Sequence, residues 1–358
     1  MRDILPDIND WFAKGEKIGM ATVVRTWGSS PRGVGARMAF TANGKMVGSV
    51  SGGCVEGAVY EAGQETLRSG RPQYLHFGVS DESAWNVGLA CGGQVDIFVS
   101  VLSKDAYDTL RQKLLADKTF ANATIVRGPA ALMGLGLPVS GERRIPGSVP
   151  LSLVDTILEV ARPVILSGRT QILQIKTTEG EDLEVFVEVV KPQPTLVMVG
   201  GVHIAIALAE LARAMGFRTV VVDPRRAFGN SDRFPHVDQL IQAWPDDAFA
   251  RLDLNELTAV AMLTHDPKID DPALQIVLRS PVFYVGALGS ATTQAKRRSR
   301  LLEAGITEAQ LERIHGPIGL KLGGQTPQEI ALAIMAEIVA VQHEVGEEKE
   351  KELAANKK

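Results

Sequence analysis

Apolar positions along the chain change period several times, and each change predicts an element. Ile4, Leu5, Ile8, Trp11 and Phe12 recur at helical spacing, and Gly15 stops that helix before the strand-like run IGMATVVRTW. The loop WGSSPRGVGARMAF, rich in Gly, Ser and Pro and carrying Arg32 and Arg37, leads into another apolar strand. A further strand ends in GSVSGGC, after which Val55, Val59, Ala62 and Thr66 share one face of a helix closed by Gly70 and Pro72. In QVDIFVSVL, Val95, Ile97 and Val99 alternate with Asp96, Phe98 and Ser100, the period of a strand. From 103 to about 192 the pattern weakens. It holds one helical stretch, a strand at ATIVRG, the glycine- and proline-rich GLGLPVSGERRIPGSVP, and a last strand LEVFVEVV before a proline-marked linker.

Beyond Pro192 the character changes. TLVMVGG reads as a buried strand, HIAIALAELARAM as a helix with Ile204, Leu208, Leu211 and Met215 on one face and Gly216 as its cap, and FRTVVVDPR as a second strand ending in Asp223. That is a β-α-β unit of about 30 residues. TAVAMLTHD, DPALQIVLRS and PVFYVGALGS continue the alternation, followed by a basic helix through Arg297, Arg298 and Arg300 that reads as a surface face. Thr307 with Gln310, and Thr326 with Glu329 and Pro327, have the spacing of capping boxes at later helix starts. The expected fold is α/β: a mixed α/β domain over 1–192, a Rossmann-like parallel-sheet domain over 193–345, and a charged, disordered tail over 346–358.

Length and composition agree with two soluble domains. The 358 residues are 45% hydrophobic and 22% charged, with 35 glycines and a net charge of −4. No basic face is available for a phosphate backbone, so nucleic acid is excluded as a partner. No apolar run reaches 18 residues and the start of the chain lacks a secretory apolar segment, which predicts a cytoplasmic protein without a membrane partner. In that compartment Cys54 and Cys91, the two cysteines, are expected as thiols.

Both thiols sit against paired glycines, Gly52-Gly53 before Cys54 and Gly92-Gly93 after Cys91. A cysteine at a helix start meets unpaired N–H groups and the positive end of the dipole, the setting of reactive cysteines. Packing as a small hydrophobe is the competing role, although glycine beside a polar atom admits another backbone or a ligand. Glu56, in the first turn, is placed to cap the helix or bond a ligand. Two cysteines without a nearby histidine pair do not make a zinc site, while soft thiolates suit molybdenum. In the second domain Gly200 opens a partial dinucleotide fingerprint in VMVGGVHIA, with Asp223 as its terminal acid, but Val202 replaces the second glycine and would crowd a pyrophosphate. His265, Asp266 and Ser290 fall in polar turns expected at the carboxyl ends of strands, where open α/β sheets bind ligands.

Seven motifs in order, GSSPRGVGARM, SGGCVEGAV, LACGGQVDIFV, VGGVHIA, LTHDPKIDDPAL, YVGALGSATTQAKR and HGPIGLKLGGQTPQEIALAIMAEIVA, resemble the XdhC/CoxI family of xanthine dehydrogenase accessory proteins. The resemblance implies an accessory factor rather than a turnover enzyme. Such a factor binds molybdenum cofactor in its molybdopterin form, holds it while a cysteine desulfurase supplies sulfur, and inserts it into an apo molybdenum hydroxylase such as xanthine dehydrogenase. A homodimer is the expected assembly. Carried onto this chain, it implies that Cys54 and Cys91 handle the cofactor and its molybdenum, Arg32 and Arg37 contact anions, and His203 is retained from the family's Gly-x-Gly-His pattern. Two readings compete: an NAD(P)-dependent oxidoreductase with a reactive cysteine, and a scaffold with inert cysteines.

Overall fold

The computed structural model describes residues 1–78, 92–140, 143–144, 149–177 and 179–355. These divide into two units, Met1–Pro192 and Gln193–Lys358. In the first, α1 (Leu5–Ala13), β1 (Ile18–Trp27), β2 (Arg37–Thr41), β3 (Met46–Gly48), α2 (Glu56–Ser69), β4 (Gln73–Phe77) and β5 (Gln94–Leu102) follow the chain. Their strands form an antiparallel sheet in the order β3-β2-β1-β5-β4. The alternation in β5 has the expected consequence. Val95, Ile97 and Val99 join Val55, Val59 and Leu67 around α2 in one core, while Phe98 turns to the other face, against Val24, Val126 and Phe186.

The weakly patterned stretch holds a second antiparallel sheet. After α3 (Lys104–Leu115) come β6 (Phe120–Arg127), β7 (Gly136–Ser140), β8 (Arg143–Arg144), α4 (Leu151–Ser167), β9 (Gln171–Lys176) and β10 (Asp182–Val190), paired as β8-β7-β6-β10-β9. Leu153, Val154, Ile157, Ala161 and Val164 of α4 cover that sheet. Pro163 sits inside this helix and blurs its signal in the sequence.

Arg37 joins the two sheets. Its guanidinium donates from Nη1 to Glu188 Oε1 at 2.8 Å and from Nη2 to Glu188 Oε2, and both side chains are about nine-tenths buried. This speaks against the expected anion contact, because the buried β10 carboxylate already takes two of this guanidinium's donors.

The second unit runs β11 (Thr195–Val199), α5 (His203–Ala214), β12 (Arg218–Val222), β13 (Gln239–Ile241), α6 (Pro245–Phe249), β14 (Thr258–Met262), α7 (Pro267–Val277), β15 (Tyr284–Ala287), α8 (Ala291–Glu303), α9 (Glu308–Leu311), β16 (Ile314–His315) and α10 (Pro327–Ala355). All strand pairings are parallel, in the order β13-β12-β11-β14-β15-β16, with the switch point between β11 and β14. The capping box at Thr307 is present, and Thr326 and Glu329 bond reciprocally at the start of α10.

Three expectations change here. The buried face of α5 is Ala205, Leu208, Ala209 and Ala212, with Met215 56% exposed, because small residues let α5 pack closely on the sheet and on Ala331, Ile334 and Ile338 of α10. Arg297 is no surface residue. It is 2% exposed and donates to Asp270 at 3.0 Å and to the Leu288 carbonyl. The charged tail continues α10 as helix to Ala355, in keeping with the high helix propensity of Glu, Lys, Leu and Ala.

Candidate functional site

In the first unit the glycine segments converge. The stretch after β3 forms no strand. Residues Ser49 to Val55 instead fold around the Glu56 carboxylate at the head of α2. Its Oε1 accepts from Ser49 Oγ at 2.7 Å and from the Val50 and Ser51 amides at 3.2 and 2.9 Å, and its Oε2 from Ser51 Oγ and from the Gly53 amide at 2.8 Å. Gly52 and Gly53, at φ of 77° and 119°, make the turn that brings those amides round. Burial pushes the Glu56 carboxyl up, but the Ser51 and Ser49 hydroxyls and the backbone amides outweigh it and hold it at about 2, against an ordinary 4.5. The result is a rigid loop with Cys54 exposed on it, two residues before the first helical residue.

A pH dependence follows. A carboxyl lowered on folding stabilises above its ordinary value and loses that contribution as pH falls through its folded value. The melting temperature of wild type should exceed that of Glu56→Gln most above pH 4.5, and the gap should close toward pH 2. A gap independent of pH would deny the clamp.

Two other segments meet this loop. Pro31 lies against Gly52, and Gly93 lies so close to the Ser29 backbone that a Cβ there would stand 2.4 Å from the Ser29 carbonyl oxygen. The backbone admitted by Gly93 is thus the chain's own, while Gly92 is exposed. Arg32 is exposed on the same Gly28–Gly35 loop, where Ser30 Oγ donates to its carbonyl. Cys91 lies outside the described residues.

Beside these loops stands a polar cluster that the sequence pattern does not single out. Asp96 of β5 is opposite His76 of β4, and its side chain is 4% exposed. Asp96 Oδ2 accepts from Tyr74 Oη at 2.5 Å and Oδ1 meets His76 Nδ1 at 2.7 Å. The Arg127 guanidinium lies 3.8 Å from the Tyr74 ring centre, and Trp27 meets the His76 ring edge-on at 6.1 Å. Two signals could have found it: the same-face spacing of Tyr74 and His76 in QYLHF, and a lone acid in an otherwise apolar strand.

In the second unit Gly200, His203, His265, Asp266 and Ser290 all fall at the carboxyl ends of β11, β14 and β15. The fingerprint turn is closed on itself. A Cβ at Gly200 would meet Thr264, and one at Gly201 the Phe228 carbonyl oxygen. Asp223 is fully buried, accepting from the Gly201 amide at 2.8 Å and from Arg225. Burial raises its carboxyl, yet the hydrogen bonds from Arg225 and the backbone prevail and keep it low. It offers no oxygen to a ribose, which removes the basis for its nucleotide role. Asp266 caps α7 by accepting from the Lys268 amide, and Ser290 caps α8. His203 and His265 are exposed at the crevice.

Residues 196–338 match the XdhC Rossmann domain, and residues 11–78 match the XdhC and CoxI family. The chain belongs to that family. This XdhC/CoxI protein is 28% identical over 337 residues, 92% of its length and 94% of the relative's, to a probable xanthine dehydrogenase subunit of Bacillus subtilis. It is 26% identical to the molybdenum cofactor insertion chaperone PaoD of Escherichia coli, over 95% of its length and 88% of the relative's. Its fold is shared with a crystal structure described as a xanthine dehydrogenase from Bacillus halodurans, at a TM-score of 0.78 and 23% identity, covering 96% of each chain. Among the described residues no group of three or more His, Cys, Asp or Glu side chains is placed to hold a metal ion, and no helix is long and apolar enough to cross a membrane.

Proposed function

We propose that this protein binds molybdenum cofactor as cargo, holds it during sulfuration by a cysteine desulfurase, and delivers it to an apo molybdenum hydroxylase such as xanthine dehydrogenase. The observation that carries the reading is the exposed Cys54 thiol on a loop held rigid by Glu56, where the Gly28–Gly35 and Gly92-Gly93 segments also meet. A soft sulfur on a preorganised loop suits a molybdenum ligand, and an exposed position admits a bulky pterin without disturbing the core. The names of the relatives point the same way. Cys91 joins the proposal through its place beside Gly92. The proposal extends to a cytoplasmic homodimer whose exposed Arg32 meets the cofactor's phosphate.

No observation favours the NAD(P) alternative. Asp223 is buried and committed, and Val202 occupies the position where backbone must approach a pyrophosphate.

The test is anaerobic incubation with molybdenum cofactor, gel filtration, and measurement of pterin fluorescence and molybdenum in the protein peak. Wild type should retain both, and Cys54→Ala, folded normally because the residue is exposed, should retain molybdenum at least tenfold less well. Wild type eluting bare would end the chaperone reading; full retention by both Cys54→Ala and Cys91→Ala would favour a scaffold with inert thiols.

A further inference from the structure

We propose that His76 is a second contact for the same cargo, taking an N–H of the pterin ring system on Nε2, with Asp96 as the positioning residue that points it outward. The inference rests on the chaperone reading. It starts from an imbalance in the Tyr74-Asp96-His76 cluster. Asp96 is buried near the start of β5, and both its oxygens are engaged, one by Tyr74 Oη and one by His76 Nδ1. In the neutral ring a buried carboxylate facing one nitrogen holds the proton on Nδ1 and leaves the lone pair on Nε2. Nε2 has no hydrogen-bond partner among the described residues, and the His76 side chain is 45% exposed.

If the cluster only satisfied Asp96, an imidazole would be a costly way to do it. A second hydroxyl or amide would bond the same oxygen without exposing a basic nitrogen on an edge strand. The surroundings point to a ligand with a ring. Trp27 is 43% exposed beside His76, an unusual place for an indole, and the chain turns at once from Trp27 into the Gly28–Gly35 loop. Gly28 packs on Gly93, so Trp27, His76 and the glycine segments around Cys54 belong to one end of the sheet. A flat heterocycle rich in N–H donors meets an acceptor nitrogen and an aromatic surface there. The division of labour is that Cys54 addresses the molybdenum and His76 the pterin.

Tautomer and binding are tested separately. Long-range proton–nitrogen spectra of the full chain labelled with 15N-histidine, recorded near pH 9 where free imidazole is neutral, should show His76 protonated at Nδ1, with its signal assigned by its loss in His76→Ala. An Nε2-protonated ring would overturn the positioning role of Asp96. Binding is then compared for molybdenum cofactor and for metal-free molybdopterin. His76→Ala should weaken both at least tenfold, Asp96→Asn should weaken both less, and Cys54→Ala should weaken only the metal-loaded form. Wild type failing to bind either would sink the chaperone reading and this inference with it. Wild-type binding that Cys54→Ala loses and His76→Ala keeps would sink this inference alone, as would a His76 effect confined to the metal-loaded form.

Discussion

Replacing Arg297 with methionine is expected to destabilise the second unit by about 3–5 kcal/mol, the usual cost of leaving one member of a buried ion pair without the other. Asp270, from α7, is 2% exposed on its side chain and Arg297 3%. The carboxylate takes a hydrogen bond from Thr264 Oγ1 on Oδ1 and from Arg297 Nη2 on Oδ2, while Arg297 Nη1 donates to Gln294 and Nη2 also to the Leu288 carbonyl. One guanidinium thus ties α7 to α8 and to the loop after β15.

The loss should depend on pH. Burial pushes the Asp270 carboxyl up to about 6, with the Thr264 hydroxyl and the Arg297 charge holding it down from going further. Without Arg297 it rises more. A carboxyl raised on folding contributes stability below its unfolded value and loses it as pH climbs through the folded one, so Arg297→Met should be penalised less at pH 5 than at pH 8. Hydrogen exchange of the α7 and α8 amides measures both figures. Equal penalties at the two pH values would mean that Asp270 is not the group left stranded.

The second large effect lies in the first unit. Arg37→Met should cost about 3–5 kcal/mol for the same reason, because Glu188 would remain nine-tenths buried with its bidentate partner gone. Gly35 lies against the same carboxylate, where a Cβ would stand 3.3 Å from Glu188 Oε1. The double replacement Arg37→Met with Glu188→Leu should recover most of the loss, since an apolar pair of similar volume leaves no uncompensated charge. Exchange protection of the β2 and β10 amides reads it out. If the double variant were as weak as the single, the bidentate pair would be holding the sheets in register rather than merely neutralising a buried charge.

These two arginines bear on what a sequence can reveal. Arg297 stands among Lys296, Arg298 and Arg300 in a run that reads as a solvated face, and Arg37 stands in a glycine loop that reads as an anion site. The partners are 27 and 151 residues away. Local pattern carries no information about a carboxylate brought in by another element.

The short-range features were legible because short-range physics makes them. Period 2 in β5 and the parallel-type runs of β11, β12 and β14 follow from which faces are covered, and the capping boxes at Thr307 and Thr326 are completed within four residues. The Gly-Gly-Cys collar was also visible, and so was the resemblance that places the chain among the XdhC/CoxI proteins. Tertiary structure decided how the collar folds. Glu56 folds the loop onto itself, Gly93 makes room for Ser29, and the buried Asp223 closes the fingerprint turn that a nucleotide would need open. It also decided the second antiparallel sheet, whose strands are short and whose covering helix contains a proline, and the pairing of His76 with Asp96 across two strands. Hydrophobic period reports the face a residue occupies; which polar group it meets there depends on strand register and loop closure, and those are settled only when the whole chain packs.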